Sequence, residues 1–333
     1  MSPRRSFARV ALGLSAGSVL FAIGCTTTSS GQVRALGVDE KVAAARAAER
    51  GPDAANVFGV PLRTGQIVLT EATGSLSYVI VLIPEQFYPF THAGIVSIED
   101  GVPYVYDIHG RLATLPLASR VLDNVEGEMH RTPFLEYVAP NLYTEVHDLP
   151  PGVDPAKVVA FARQKFAEKV EFDAFFDYSD HKKLFCTELV ELALEAGGAP
   201  PRTLAPTNKN PSVRLAMDWL EVPPDTVLPA GAFLDGAPFV GAFGQFGTRT
   251  AAYAYFEAKR EFHRRFHGKD QRLGYAFLLK RTGDVDIRPE VESFFTRAPH
   301  LFDGEEKPPA PGDPRIASAV RALADSMFGP VAD

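Results

Sequence analysis

The chain has 333 residues, 46% of them hydrophobic and 23% charged, enough to bury a full core, and it shows neither heptads nor internal repeats. Its formal net charge of −7 argues against a polyanion partner such as nucleic acid, whose binding rests on clustered Lys and Arg. Two cysteines are too few for a disulfide scaffold or a zinc–cysteine site.

At the N-terminus, Arg4, Arg5 and Arg9 precede a run from Val10 to Gly24 that is apolar or small throughout, and Cys25 follows. The run is shorter than the roughly 20 residues a membrane span needs, but it suits the h-region of a signal peptide. Ala22-Ile23-Gly24-Cys25 resembles a bacterial lipobox, with Cys25 as the lipidated first residue of the mature protein. Residues 1–24 then read as a lipoprotein signal peptide, against the alternatives of a plain signal peptide or a short membrane anchor. Thr26 resembles the outer-membrane sorting pattern, so the expected location is membrane-anchored through Cys25, facing the periplasm if the cell has two membranes. Cleavage removes three arginines and no acids, leaving a more acidic chain in which Cys186 is the only free thiol.

Residues 25–51 read as a tether followed by a short alanine-rich helix from Asp39 to Arg50. From Gly65 the pattern turns to strands rich in β-branched and aromatic residues: Gln66 to Thr70, Tyr78 to Ile83, His92 to Ile98 and Pro103 to Ile108. The spacing of Val158, Val159, Phe161, Ala162 and Phe166 predicts a helix over 154–170. An aromatic and acidic stretch, Phe172 to Asp180, leads to a helix that opens at Cys186 and closes at Gly197-Gly198. Beyond a proline-rich crossing come a helix-like run from Thr250 to His267, a strand from Leu273 to Lys280, a linker from Pro308 to Pro314 and a terminal helix from Arg315 to Phe328. Lys259, Arg260, Arg264 and Arg265 read as a solvated basic face. Strands followed by helices in one unit predict an α+β catalytic domain over 52–229, with 230–333 an extension of unknown role.

Cys186 falls in the first turn of its helix, where orphan N–H groups and the helix dipole favour a thiolate. It shares a face with Leu189, Val190, Ala193 and Leu194, and so points inward, while Glu188, Glu191 and Glu195 share another. Taken alone, that placement fits a buried structural thiol. A histidine in a shared cleft would turn the balance. His92 is the candidate because of its hairpin: a turn at Glu99-Asp100-Gly101-Val102 sets a register in which residue numbers across the pair sum to 201. Gly94 then faces Asp107, and His92 faces His109, so that His92, Asp107 and His109 point the same way. That is a base with an orienting carboxylate in diagonal reach. His181, five residues before Cys186, is a local rival.

Thr64-Gly65-Gln66-Ile67-Val68, Thr91-His92-Ala93-Gly94-Ile95-Val96, Tyr104-Val105-Tyr106-Asp107, Phe176-Asp177-Tyr178-Ser179-Asp180 and Phe185-Cys186-Thr187-Glu188-Leu189-Val190 together resemble the YiiX-like permuted papain-fold cysteine hydrolases, relatives of the NlpC-type cell-wall peptidases. The resemblance covers about Gly65 to Pro229, with the acid and histidine ahead of the cysteine as in the circularly permuted branch. It implies an antiparallel sheet or small barrel packed against the helix that bears the nucleophile. It further implies Cys186 as nucleophile, His92 as base and Asp107 as third member, with His109 able to stand in for Asp107. Thr187 holds a place where the family commonly has serine.

The chemistry implied is acyl transfer to water with no metal or cofactor. The leading expectation is an amidase or peptidase acting on cell-envelope peptides or peptidoglycan fragments. A lipid-directed acyl hydrolase or acyltransferase is the second, with Phe172, Phe175, Phe176 and Tyr178 as lining for an acyl pocket or, more simply, as core. A catalytically silent binding lipoprotein is the third.

Overall fold

In chain order the elements are β1 (Arg34–Val38), α1 (Glu40–Arg46), β2 (Ala54–Val57), β3 (Val60–Arg63), β4 (Ile67–Glu71), α2 (Leu76–Ile80), β5 (His92–Glu99), β6 (Val102–Leu112), β7 (Val125–Pro133), α3 (Phe134–Val138) and β8 (Tyr143–His147). Then follow α4 (Pro155–Ala167), α5 (Cys186–Ala196), β9 (Ala205–Pro206), α6 (Pro211–Trp219), β10 (Thr226–Val227), β11 (Phe239–Gly244), α7 (Arg249–His267), β12 (Phe277–Leu279), β13 (Val285–Ile287), α8 (Pro289–Arg297) and α9 (Pro314–Phe328). This computed structural model describes residues 33–47, 51–74, 76–112, 125–219, 225–267, 276–279 and 285–331. Residues 1–24, read above as a signal peptide, and Cys25 lie outside the described residues.

The main sheet has seven strands in the order β1-β11-β8-β4-β5-β6-β7, all paired antiparallel. Alternation along the central strands builds two cores. Ile67, Leu69, Ala93 and Ile95 pack with the apolar face of α5 and with α4, in a cluster that runs on into α7, α8 and α9. Val68, Val96, Ile98 and Val105 pack on the other side with Val60 and Leu62 of β3 and with Phe134, Tyr137 and Val138 of α3. The fold is therefore α+β, an antiparallel sheet with helices packed against it.

The structure departs from the sequence reading in four places. The stretch taken as a tether contributes β1, which pairs with β11 and so belongs to the sheet. The boundary expected at Pro229 is not a division of the fold, because β11 lies between β1 and β8 and all the described residues fall within one unit, Gln32–Asp333. The strand expected over Tyr78–Ile83 is instead the short helix α2, followed by buried Val81, Leu82 and Ile83. A short apolar run carries no periodicity that separates the two forms. Finally, the basic face of α7 is not all solvated. Lys259 is fully buried against Glu71, and Arg265 is buried between Glu261 and Asp325.

Among the described residues, no helix is long and apolar enough to cross a membrane.

Candidate active site

The β5–β6 hairpin closes through Asp100 and Gly101, whose φ values of 51° and 79° are those of a tight two-residue hairpin turn. The pairs Glu99↔Val102, Val96↔Val105 and Ile95↔Tyr106 fix the register at the sum of 201 read from the sequence. His92, at the start of β5, consequently meets Asp107: its Nε2 donates to Asp107 Oδ2 at 2.8 Å. His109 donates through Nδ1 to the same oxygen at 2.9 Å. Asp107 is buried, and its Oδ1 has no partner among the described residues.

Helix α5 delivers the thiol. Cys186 is its first residue, and Phe185 before it is extended, with φ −107° and ψ 168°. Glu188, three residues into the helix, accepts from the Phe185 backbone N–H and fixes the helix start at Cys186. Leu189, Val190, Ala193 and Leu194 seat the helix in the core, as its apolar face predicts. Cys186 itself keeps 7% of its surface and lines an apolar cavity. Its thiol is an electrostatic neighbour of the His92 imidazole. Because Nε2 is engaged by Asp107, Nδ1 is the ring nitrogen left for the thiol.

Electrostatics follow from this geometry. Burial pushes the His92 imidazole down, but the adjacent Cys186 and the Asp107 hydrogen bond outweigh it and raise the group to about 10. Burial likewise pushes Asp107 up, yet the two imidazole donors, His109 and His92, hold the carboxyl well below the usual carboxylate range. Asp107 is the group in contact with His92. His109 stands one step further out, half exposed and stacked on His130 at 4.0 Å between ring centroids. Of the two candidates for the third member, Asp107 is the one bonded to His92, and His109 bonds Asp107 in turn. Thr187 donates to the Leu228 carbonyl at 2.8 Å, tying the 227–230 segment to the helix start.

One neighbour was not read from the sequence, nor was the bond between two residues that were. Tyr137, on α3, lies 6.2 Å from His92 between ring centroids, and its hydroxyl is hydrogen-bonded to Thr70. Nothing near Tyr137 in the sequence marks this role, since only the sheet brings α3 under β5. Those two are Glu188 and His181, bonded to each other at 2.5 Å. His181, the local rival, has its Nδ1 bonded to Glu188. Burial pushes Glu188 up to about 7 against the pull of His181.

His92, Asp107 and His109 also form a set of metal-ligating types, with their donor atoms within 4.8 Å of one another. The nitrogen–oxygen separations of 2.8 and 2.9 Å are those of hydrogen bonds. In this arrangement two imidazole nitrogens share one carboxylate oxygen.

The fold and site together define an α+β protein with a thiol, an imidazole and a carboxylate in series at the start of a buried helix. Comparison with solved structures finds a likeness to the crystal structure of the metalloprotein yiiX from Escherichia coli O157:H7, at 20% identity and a TM-score of 0.40, covering 53% of this chain and 95% of that one. No protein-family model matches the chain, and no curated protein matches it.

Proposed function

We propose that the protein is a thiol-dependent hydrolase of the permuted papain-like type that its motifs resemble, transferring an acyl group from an amide to water. The observation that carries this reading is the His92 imidazole bonded through Nε2 to the buried Asp107 at 2.8 Å, with the Cys186 thiol as an electrostatic neighbour of the same ring. A structural cysteine needs no such partner.

In this reading Cys186 Sγ attacks the substrate carbonyl carbon, and the developing oxyanion is received by unpaired N–H groups in the first turn of α5. As the tetrahedral intermediate collapses the carbon–nitrogen bond breaks, and His92 gives its proton to the departing amine. His92 then takes a proton from water, which attacks the thioester. The carboxylic acid leaves as the carbon–sulfur bond breaks, and the sulfur is released as a thiolate beside the reprotonated His92. Asp107 stays ionised throughout, holding the imidazole in one tautomer and one orientation.

The resemblance of residues 1–24 to a lipoprotein signal peptide, with Cys25 following, supports export and anchoring by an N-terminal lipid, which would place the site at the cell envelope. Envelope peptides are the first substrate class this location offers. Acyl groups of lipids are the second, favoured by the apolar cavity beside Cys186.

The test is acyl-enzyme trapping. Brief reaction with p-nitrophenyl acetate followed by acid quench should leave one acetyl group on the peptide carrying Cys186, with none in His92→Ala under the same conditions. An unmodified Cys186 peptide in the wild-type protein would leave only the silent binding reading.

A further inference from the structure

Lys259 of α7 and Glu71 at the end of β4 meet with their side chains wholly without solvent exposure, and the lysine Nζ lies 2.5 Å from Glu71 Oε1. The two are 188 positions apart, so the contact joins a C-terminal helix to the middle of the sheet. Their surroundings are aromatic. Nζ stands 5.7 Å from the centroid of the Tyr78 ring and 6.0 Å from that of Tyr255, and Tyr78 stacks on Phe295 at 4.4 Å. An ion pair enclosed in this way gives up hydration on both sides, and apolar side chains in its place are often as stable or more so. An amine and a carboxyl in contact are also the two halves of an amide.

The hydrogen bonds around the carboxyl are one-sided. Oε1 accepts from Ser77 Oγ at 2.5 Å and from the Tyr255 hydroxyl at 3.4 Å, as well as from Nζ. Oε2 is buried and has no partner among the described residues. Two hydroxyl donors aimed at one oxygen suit the negative charge that develops there in a tetrahedral intermediate. A bare oxygen in an apolar setting is a poor place for charge, so Oε2 is the one to take protons and leave as water. Ser77 Oγ also accepts from Nζ at 3.0 Å, which fixes the side from which the amine approaches. Burial lowers the lysine's pKa against the attraction of Glu71 and so favours the neutral, nucleophilic amine.

We propose that Lys259 and Glu71 condense into an intramolecular amide, a covalent staple between α7 and β4 that forms once the chain has folded. The ammonium gives one proton to Glu71 Oε2, and the freed amine attacks Cδ, forming the Nζ–Cδ bond. A second proton passes from nitrogen to Oε2, the Cδ–Oε2 bond breaks, and one water leaves with no change of oxidation state. The enclosure that favours the reaction also keeps hydrolytic water from the product. Glu71 directly follows Thr70, the cross-strand partner of His92, so the staple ties α7 to the strand beside the candidate base. The staple stands or falls independently of the hydrolase reading.

The experiment is a peptide map of the full-length protein, unfolded in guanidinium chloride and cut with trypsin. The expected product is a branched peptide joining Thr64–Arg111 to Thr250–Arg260, with cleavage after Lys259 blocked and a mass about 18 Da below the sum of the two for the water lost. Fragmentation should place the bond between Lys259 and Glu71. Lys259→Arg should give the two segments apart, and Ser77→Ala, which keeps both reacting groups, should give a smaller branched fraction at equal time after synthesis. Thr64–Arg111 and Thr250–Lys259 recovered apart from the wild-type protein, each at its full sequence mass, would overturn the staple and leave a buried ion pair. A bond from Lys259 to any other carboxyl would overturn it too. The wild-type map decides by itself, so the outcome does not depend on either variant folding.

Discussion

Among the described residues, two places set a nucleophile type, a base type and a carboxylate side by side, and they differ in what surrounds them. At the first, Cys186, His92 and Asp107 stand in series beside an apolar cavity. At the second, Ser77 donates to Glu71 at 2.5 Å while Lys259 donates to the same Glu71 oxygen at 2.5 Å and to Ser77 Oγ at 3.0 Å. Residue types alone would allow a serine–lysine site there. Yet the side chains of both Lys259 and Glu71 are wholly without solvent exposure. Burial lowers the Lys259 pKa against the attraction of Glu71, and the amine is fixed to the carboxylate. The second cluster joins α7 to the end of β4 and to α2. What distinguishes a site is access to the nucleophile and a base nitrogen not already committed elsewhere.

Breaking the first cluster should give the largest effect on activity. Cys186→Ala should lower ester and amide hydrolysis by about 10³-fold or more, with little change in the thermal midpoint, because it removes only one sulfur atom. Breaking the second should do the reverse. Lys259→Met leaves Glu71 buried without its partner and should cost about 3–5 kcal/mol in urea unfolding, while iodoacetamide labelling of the folded protein keeps its rate. Activity lost with stability intact in this variant would mean that the second cluster takes part in the reaction.

Asp107→Asn sharpens the comparison, since it keeps shape and removes charge. Hydrolysis should fall about 10²- to 10⁴-fold, and the alkaline limb of the pH–rate profile should move to lower pH as His92 loses its counter-charge. In the wild-type protein that limb should lie near pH 10, where His92 gives up the proton needed by the leaving group.

Stability should follow the same groups with opposite signs. His92, raised in the folded state, contributes stability that is complete below its unfolded value of about 6.5 and is lost as pH rises through about 10. Asp107, depressed in the folded state, contributes above its unfolded value and loses that contribution as acid approaches its much lower folded value. The smallest effect belongs to His109→Ala. Because His109 bonds Asp107 and not the thiol, hydrolysis should drop less than about tenfold and the alkaline limb should shift only slightly.

The local half of this site was legible in the sequence. A tight turn and strict alternation fix the hairpin register, which alone brings His92 to Asp107, and a periodic apolar face fixes which way Cys186 points. The parts that escaped depend on partners far away in the chain. Lys259 is a surface residue by its neighbours and a buried one by Glu71, 188 positions earlier. Arg34 to Val38 looks like a tether until β11 pairs with it. Glu188 and Glu191 sit on the charged side of α5, but His181 and Arg202 bury them. Tyr78 to Ile83 is too short for its periodicity to tell strand from helix, and packing of Tyr78 on Phe262 and Phe295 accompanies the helix that forms.

The central claim, that His92 activates Cys186, is tested most directly by the pH dependence of iodoacetamide labelling on the Cys186 peptide of the full-length protein, with His92→Ala beside it. The account predicts rapid labelling below neutral pH that slows sharply in the variant. Slow labelling that is equal in both proteins and rises only near the pKa of an ordinary thiol, about 8.5, would contradict it and make Cys186 a structural residue.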